Sequence, residues 1–498
     1  MNVNPITRLD YPDPDVIRVE DTYYMVSTTM HFMPGCEILQ SFDLVHWEHA
    51  TYVYETLDHT DAQQLKSGQN IYGQGMWAAS LRYHEGRFYI CFVANDTRKT
   101  YLYTSEKIDG PWKKQLIEGF YHDGSLLFDE DGRNYIVYGN DEIWITELNE
   151  DLTAPKKDGL HRLLVSDHKN PELGYEGSHI QKINGYYYIF LIHSLRDRWM
   201  RTEACFYSDS LEGEFTGGDV LCDDRGYCGQ GVAQGGIVDT PDGKWYAMLF
   251  QDSGAVGRLP ILLPVTWKDH FPFFGQNGHV PEEIEVHSTR PGYIYQPLVG
   301  SDDFCNGLLP RWQFNHDPDP RYYHLDALQG TYTITTREVC TELTQAVNTL
   351  TQRMSYPSCA AEVTVDASAL KEGDVAGLCA LQGCYAAVGI TKHHGKYEVL
   401  MLDKKEDGIL DMTEGTVVES HQMDFRLEAD FCNMKDEARC YYRVNKGDWL
   451  PIGTVHKLYF KLDHFTGCRF GLFCYAAEET GGSACFRDFK YYDVDEIS

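Results

Sequence analysis

The chain has 498 residues, too many for one ordinary core at roughly 150 residues per domain, so two or three domains are expected. Its 75 acidic residues against 43 basic ones leave a net charge of −32, which repels a phosphate backbone or an anionic membrane surface. Nucleic acid, membrane and polyanionic substrates are thereby disfavoured, and a neutral or cationic ligand fits better. With 43% hydrophobic residues, 34 Tyr and no apolar run of about 18 residues, the composition is that of a globular protein without a bilayer-spanning helix.

Taken in order, the first ten residues (MNVNPITRLD) have neither the basic start nor the apolar stretch of an export signal, so a cytoplasmic location is expected. The 15 Cys are odd in number and sit mostly in strand-like contexts such as Cys91, Cys379 and Cys474, which reads as buried thiols in a reducing compartment. Cys222 and Cys228 lack partners at zinc-site spacing.

From Glu20 onward a turn followed by an aromatic strand recurs five times: EDTYYMVST, HEGRFYICFV, EDGRNYIVYG, INGYYYIFLI and PDGKWYAMLF. The repeats share one Tyr register, Tyr24, Tyr89, Tyr135, Tyr188 and Tyr246, spaced 65, 46, 53 and 58 residues apart. Each interval holds one four-stranded blade with variable loops, so five repeats predict a five-bladed propeller.

Counting back twelve residues from the last four Tyr gives Trp77, Asp123, Glu176 and Gln234, and eleven from Tyr24 gives Asp13. Each opens a segment of small then apolar residues (DPDVI, WAASL, DGSLL, EGSHI, QGGIV), the pattern of the first strand of a blade. Those strands line the central channel, so the five positions should share one axial pocket. Three carboxylates held together resist joint ionisation, which splits their proton affinities and supplies an acid and a base at one pH. Glycosidic cleavage needs that pairing. Alternatives stay open: each acid could be a satisfied turn residue, and a calcium cage would suit carboxylates, although Trp77 and Gln234 are poor ligands for a hard cation.

The stretches carrying these positions, YPDPDVIRVEDTYYMVSTTMHFMPG through QGGIVDTPDGKWYAMLFQDSGAVGRLPILLPVTW, resemble glycoside hydrolase family 43. The resemblance implies a catalytic propeller over residues 1–295 and an inverting exo-glycosidase that frees terminal β-D-xylose or α-L-arabinofuranose from neutral oligosaccharides. By motif position, Asp13 would be the general base, Glu176 the general acid, and Asp123 the carboxylate that orients Glu176 and keeps it protonated. Asp123 is followed by a Gly-Ser turn able to hold it ionised. Trp77 would wall the sugar ring, Arg258 would hydrogen-bond the sugar, and Phe32 would be a pocket-wall aromatic; ordinary packing or a surface ion pair would account for these three as well. No cofactor is required. Many members carry His where Gln234 stands, near a channel ion, commonly calcium, so here the ion is absent or held through water. His31, His122 and His179 adjoin the motifs and receive no catalytic role.

Residues 301–498 resemble the C-terminal β-sandwich of the β-xylosidase-type members, and from Thr331 they read as antiparallel strands punctuated by turns such as HHGK and NKGD. The class is all-β, a propeller followed by a jelly-roll-like sandwich that could send a loop toward the pocket. A homo-oligomer is compatible with the sequence. Two other functions are alternatives: a propeller that binds sugar without catalysis, and a retaining fructan or sucrose hydrolase, whose WMNDPNG-like signature does not occur here.

Overall fold

The structure is a computed structural model that describes residues 3–413 and 415–493. Its first part is a ring of five four-stranded antiparallel sheets. Blade 1 is Asp15–Val19, Thr22–Val26, Gly35–Ser41 and Glu48–Tyr54, and blade 2 is Met76–His84, Arg87–Ala94, Lys99–Ser105 and Lys113–Ile117. Blade 3 is Ser125–Phe128, Asn134–Asn140, Glu142–Leu148 and His161–Ser166. Blade 4 is Glu176–Ile183, Tyr186–Ser194, Arg201–Ser208 and Thr216–Leu221; blade 5 is Ala233–Asp239, Trp245–Asp252, Arg258–Lys268 and Phe271–Phe274. Each repeat Tyr lies on the second strand of its blade, as the register requires. In the hairpins before Tyr89 and Tyr188, Glu85-Gly86 and Asn184-Gly185 both have positive φ, the conformation of a type I′ turn that matches strand twist.

The innermost strands touch their neighbours around a closed ring. Between each pair of adjacent blades lies an apolar layer, for example Ile38, Val53 and Tyr54 of blade 1 against Leu81, Phe92 and Tyr103 of blade 2. The ring closes by packing of the same kind, with Val16, Tyr23 and Met25 against Val238, Tyr246 and Met248. Each such side chain contributes roughly 1.5–3 kcal/mol by leaving water, which holds the blades without covalent links.

The second part is a sandwich of a nine-stranded and a seven-stranded sheet. Period-two alternation is plain in Gln422–Asp430 and Glu437–Arg443, where every second residue is buried. The common core includes Phe425, Leu427, Phe470 and Phe486. The ninth strand of the larger sheet comes from the propeller: Phe32–Met33 pairs with Gln313–Asn315. This corrects the expectation for Phe32. Its ring is fully buried at the seam, packed among Leu343, Leu381 and Phe473, with the Arg469 guanidinium 3.4 Å above its centre, so it does not wall the cavity. The seam also holds an ion pair, Glu37–Arg353 at 2.8 Å, with Arg353 stacked 4.1 Å over Tyr11. Asp10 accepts the backbone N–H of Arg258 at 2.7 Å and that of Gly467, in the sandwich, at 2.8 Å. A Cβ on Gly467 would lie 2.2 Å from the carbonyl of Val256, so only glycine permits this approach.

Candidate active site

All five positions picked out by the Tyr register line one cavity of about 640 Å3, and Arg258 lines it with them. The backbone explains how strand-start residues reach it. Asp13, Asp123 and Gln234 have φ of 53°, 48° and 60°, and Gly177, just after Glu176, has 65°. The inner strands of blades 2, 4 and 5 also slip register at their first residues. These left-handed turns and bulges aim side chains at the mouth of the ring instead of between blades. Glycine is required at 177, because a Cβ there would lie 2.7 Å from Cγ of Gln234.

Asp13 is buried and doubly held: Arg258 Nη1 donates to Oδ1 at 2.9 Å and the Thr28 hydroxyl to Oδ2 at 2.6 Å. Arg258 is itself clamped by Asp10 at its backbone and lies 4.5 Å over the ring of Phe465, from the sandwich. Its guanidinium therefore sets the orientation of Asp13 as well as facing the cavity.

Asp123, Glu176 and His122 form a cluster whose polar atoms lie within 4.8 Å of one another. Asn140 donates to Glu176 Oε2 at 2.7 Å, and the backbone N–H of Gly177 donates to Asp123 Oδ2 at 3.0 Å. The latter corrects the expected support of Asp123 by its own Gly-Ser turn: the Ser125 hydroxyl bonds Arg82 and Ile180 instead. Burial, with help from the Glu176 and Asp13 carboxylates, pushes Asp123 up to about 6, against the opposing pull of His122 and Gly177. His122 is held at about 9, chiefly by Asp123 and against the cost of burial, so its ring is cationic at neutral pH.

Beneath the cavity the Arg82 side chain crosses the channel, whose inner strands line a second cavity of about 410 Å3 below it. Arg82 Nη1 meets the fully buried Asp15 at 2.7 Å, its Nη2 donates to Ser125 Oγ and the Ile180 carbonyl, and its Nε donates to the Leu126 carbonyl. His179 Nδ1 adds a 3.1 Å contact to Asp15. Burial pushes the Asp15 carboxyl up, yet Arg82 and His179 more than offset it and hold it below the ordinary range. The carboxylate, hydroxyl and carbonyl oxygens that a hard cation would need thus already surround a guanidinium. Gln234 faces the cavity and not this axis. The residues present do not fit a channel calcium ion.

Of the other two histidines near the motifs, His179 belongs to this channel network, and His31 is buried at the seam against Tyr72, His316 and His464. Sequence reasoning missed several cavity residues. Asn140 ends the second strand of blade 3 and Thr28 lies two residues past that of blade 1, a position that could have marked them. Arg201 pairs with Asp252 at 2.6 Å, and behind Gln234 the wholly buried Glu203 accepts its backbone N–H at 2.7 Å. Burial pushes the Glu203 carboxyl well above the ordinary range. The roof comes from the sandwich: Met434, Phe460, Lys461, Leu462 and Phe465, with Phe465 5.7 Å from Trp77.

Comparison with known proteins agrees with this geometry. Residues 3–272 match the family described as glycosyl hydrolases family 43, and residues 301–492 match the β-xylosidase C-terminal concanavalin A-like domain. A β-xylosidase of Formosa agariphila is 26% identical, over 99% of this chain and 89% of its own. A non-reducing end α-L-arabinofuranosidase of Bacteroides ovatus is 26% identical over 66% of this chain and 63% of its own. Among solved structures, a bifunctional family 43 protein of Bacteroides eggerthii superposes with a TM-score of 0.92 at 42% identity, covering 98% of this chain, which spans 63% of that longer protein. The propeller, the sandwich that roofs it and these matches together place the chain in glycosyl hydrolase family 43, and it is a glycoside hydrolase.

Proposed function

We propose that the protein is an inverting exo-glycosidase that releases single terminal pentoses, β-D-xylose or α-L-arabinofuranose, from short neutral oligosaccharides. The observation that carries the reading is that Asp13, Asp123 and Glu176, from three different blades, all line one cavity roofed by the sandwich. Inversion needs room for a water between base and acid, roughly 6.5–9.5 Å between carboxyls. Glu176 passes its proton to the glycosidic oxygen as that bond breaks, and Asp13 takes a proton from the water that attacks the anomeric carbon. The names of the Formosa and Bacteroides ovatus relatives support the choice of pentoses, and the acidic surface does not repel an uncharged sugar. Trp77 and Phe465, packed together with ring centres 5.7 Å apart, form one apolar wall that suits the face of a pyranose or furanose.

The test is proton NMR of the first-formed sugar from aryl β-D-xylopyranoside and α-L-arabinofuranoside, alongside xylo- and arabino-oligosaccharides. Single pentoses with inverted anomeric configuration are expected. Retained configuration, or internal fragments without free pentose, would refute the proposal. Because the Arg82 guanidinium already takes up the channel oxygens of Asp15 and Ile180, EDTA is expected to leave both rate and melting temperature unchanged; a loss restored by calcium would put an ion where we place the guanidinium. A reducing, cytoplasmic setting belongs to the same reading and is supported by fifteen free thiols, nine of them buried.

A further inference from the structure

His122 has no part in the mechanism above, yet its side chain is aimed at the middle of it. Nε2 lies 3.5 Å from Asp123 Oδ2 and 3.6 Å from Glu176 Oε2, is buried, and closes a hydrogen bond with neither. A buried ring nitrogen left equidistant from two carboxylates is costly unless it serves both. The ring is held in place by Trp77, whose centre is 5.8 Å away, and the His122 carbonyl accepts the Gly139 N–H at 3.0 Å, so the loop cannot easily swing out.

We propose that His122 is a positioning residue that acts through Glu176: its imidazolium sits between the two carboxylates and takes up the negative charge that appears on Glu176 when the proton leaves. This rests on the role proposed above for Glu176. In the step, the water oxygen bonds the anomeric carbon and gives its proton to Asp13, the electron pair of the anomeric C–O bond goes to the glycosidic oxygen, and that oxygen takes the proton released as the Glu176 O–H bond breaks. Before the step, protonated Glu176, the carboxylates Asp13 and Asp123, and the cations His122 and Arg258 sum to zero. Afterwards a fresh carboxylate lies beside His122, and Nε2–H can close on it.

The charged groups that face the ring are few enough to name. Asp123 comes from its own loop and Glu176 from blade 4, while Asp13, just before blade 1, is already salt-bridged to Arg258. Farther along the wall stand the paired Arg201 and Asp252, Glu172, and Lys461, which is paired with Glu406. The other cavity cations are committed to partners outside the Asp123–Glu176 pair, which leaves His122 as the counter-charge for it among the described residues.

Two variants separate charge from shape. His122→Gln keeps a donor near the same place without charge, and His122→Leu removes both. For each, the alkaline limb of the kcat profile should move up by about one pH unit, because the carboxylate pair then holds its proton more tightly. At pH 7, kcat on xylobiose should fall about tenfold with KM little changed, and much less on a 2,4-dinitrophenyl xyloside, whose leaving group needs no acid. An alkaline limb that stays at the wild-type pH in His122→Gln overturns the proposal even if activity falls, since a structural role lowers rate without moving the limb. Absence of pentoside hydrolysis by the wild type would remove the proposed function itself, and with it this role; hydrolysis by the wild type with an unmoved limb removes only the role of His122.

Discussion

Asp13→Asn should lower kcat by about 10²–10⁴-fold on every pentoside, whatever its leaving group, while the protein melts as the wild type does. The side-chain oxygen of Asn can still accept from Arg258 Nη1, and its amide can donate to the Thr28 hydroxyl, so neither contact of the native carboxylate is left orphaned. Alanine would be a poorer test, because it would strand the buried Arg258 guanidinium and confound lost chemistry with lost stability. What Asn cannot do is take a proton from water. The defect must then appear equally on xylobiose and on a dinitrophenyl xyloside, since water must be activated for both. Turnover within tenfold of the wild type on either substrate would end the assignment of Asp13 as base.

Glu176→Gln should give the complementary pattern. On xylobiose, whose departing sugar alkoxide requires a proton, kcat should fall by about 10²–10⁴-fold; on the dinitrophenyl substrate the loss should be about tenfold or less. The amide keeps an acceptor for Asn140, so the geometry around residue 176 is preserved. The alkaline limb should vanish from the profile of this variant, because the group that loses its proton there is gone. An unchanged limb, or equal losses on both substrates, would assign the acid to another side chain, and Asp123 is the nearest candidate. The two variants are thus distinguished by leaving-group dependence before any structural comparison.

The propeller was legible because its signal repeats. One Tyr in one register, read five times, located the second strand of every blade, and a fixed offset then reached the five cavity positions without knowledge of any contact. The sandwich strands from Thr331 onward were legible for the same reason, since alternation such as MDFRLEA marks one buried face. Where the pattern failed, the physics is equally specific. Leu350–Arg353, polar in three of four residues, has no alternation to mark it as a strand, yet all four are buried: Thr351 bonds the Gln313 carbonyl, Gln352 bonds Gly300, and Arg353 meets Glu37. Polarity predicts exposure only when partners are not supplied from far along the chain. Phe32 illustrates the reverse error. Its neighbours in sequence lead to the cavity, but its own ring faces a domain that begins some 270 residues later. His122 fell between these cases, because a lone His beside an Asp has no periodicity to read; only the third partner, Glu176 from the next blade, gives it meaning.

The strand Phe32–Met33 completes a sheet that otherwise belongs to the second domain, and the site is roofed by that same domain. Recombination that divides the gene near residue 300 would therefore break a sheet and open the cavity in one event. The heritable unit of this catalyst is the pair of domains: new specificities can be explored by exchanging roof residues such as Leu462, and additional modules can be appended outside the pair, but neither half is free to drift to a new partner without carrying its share of the other's edge.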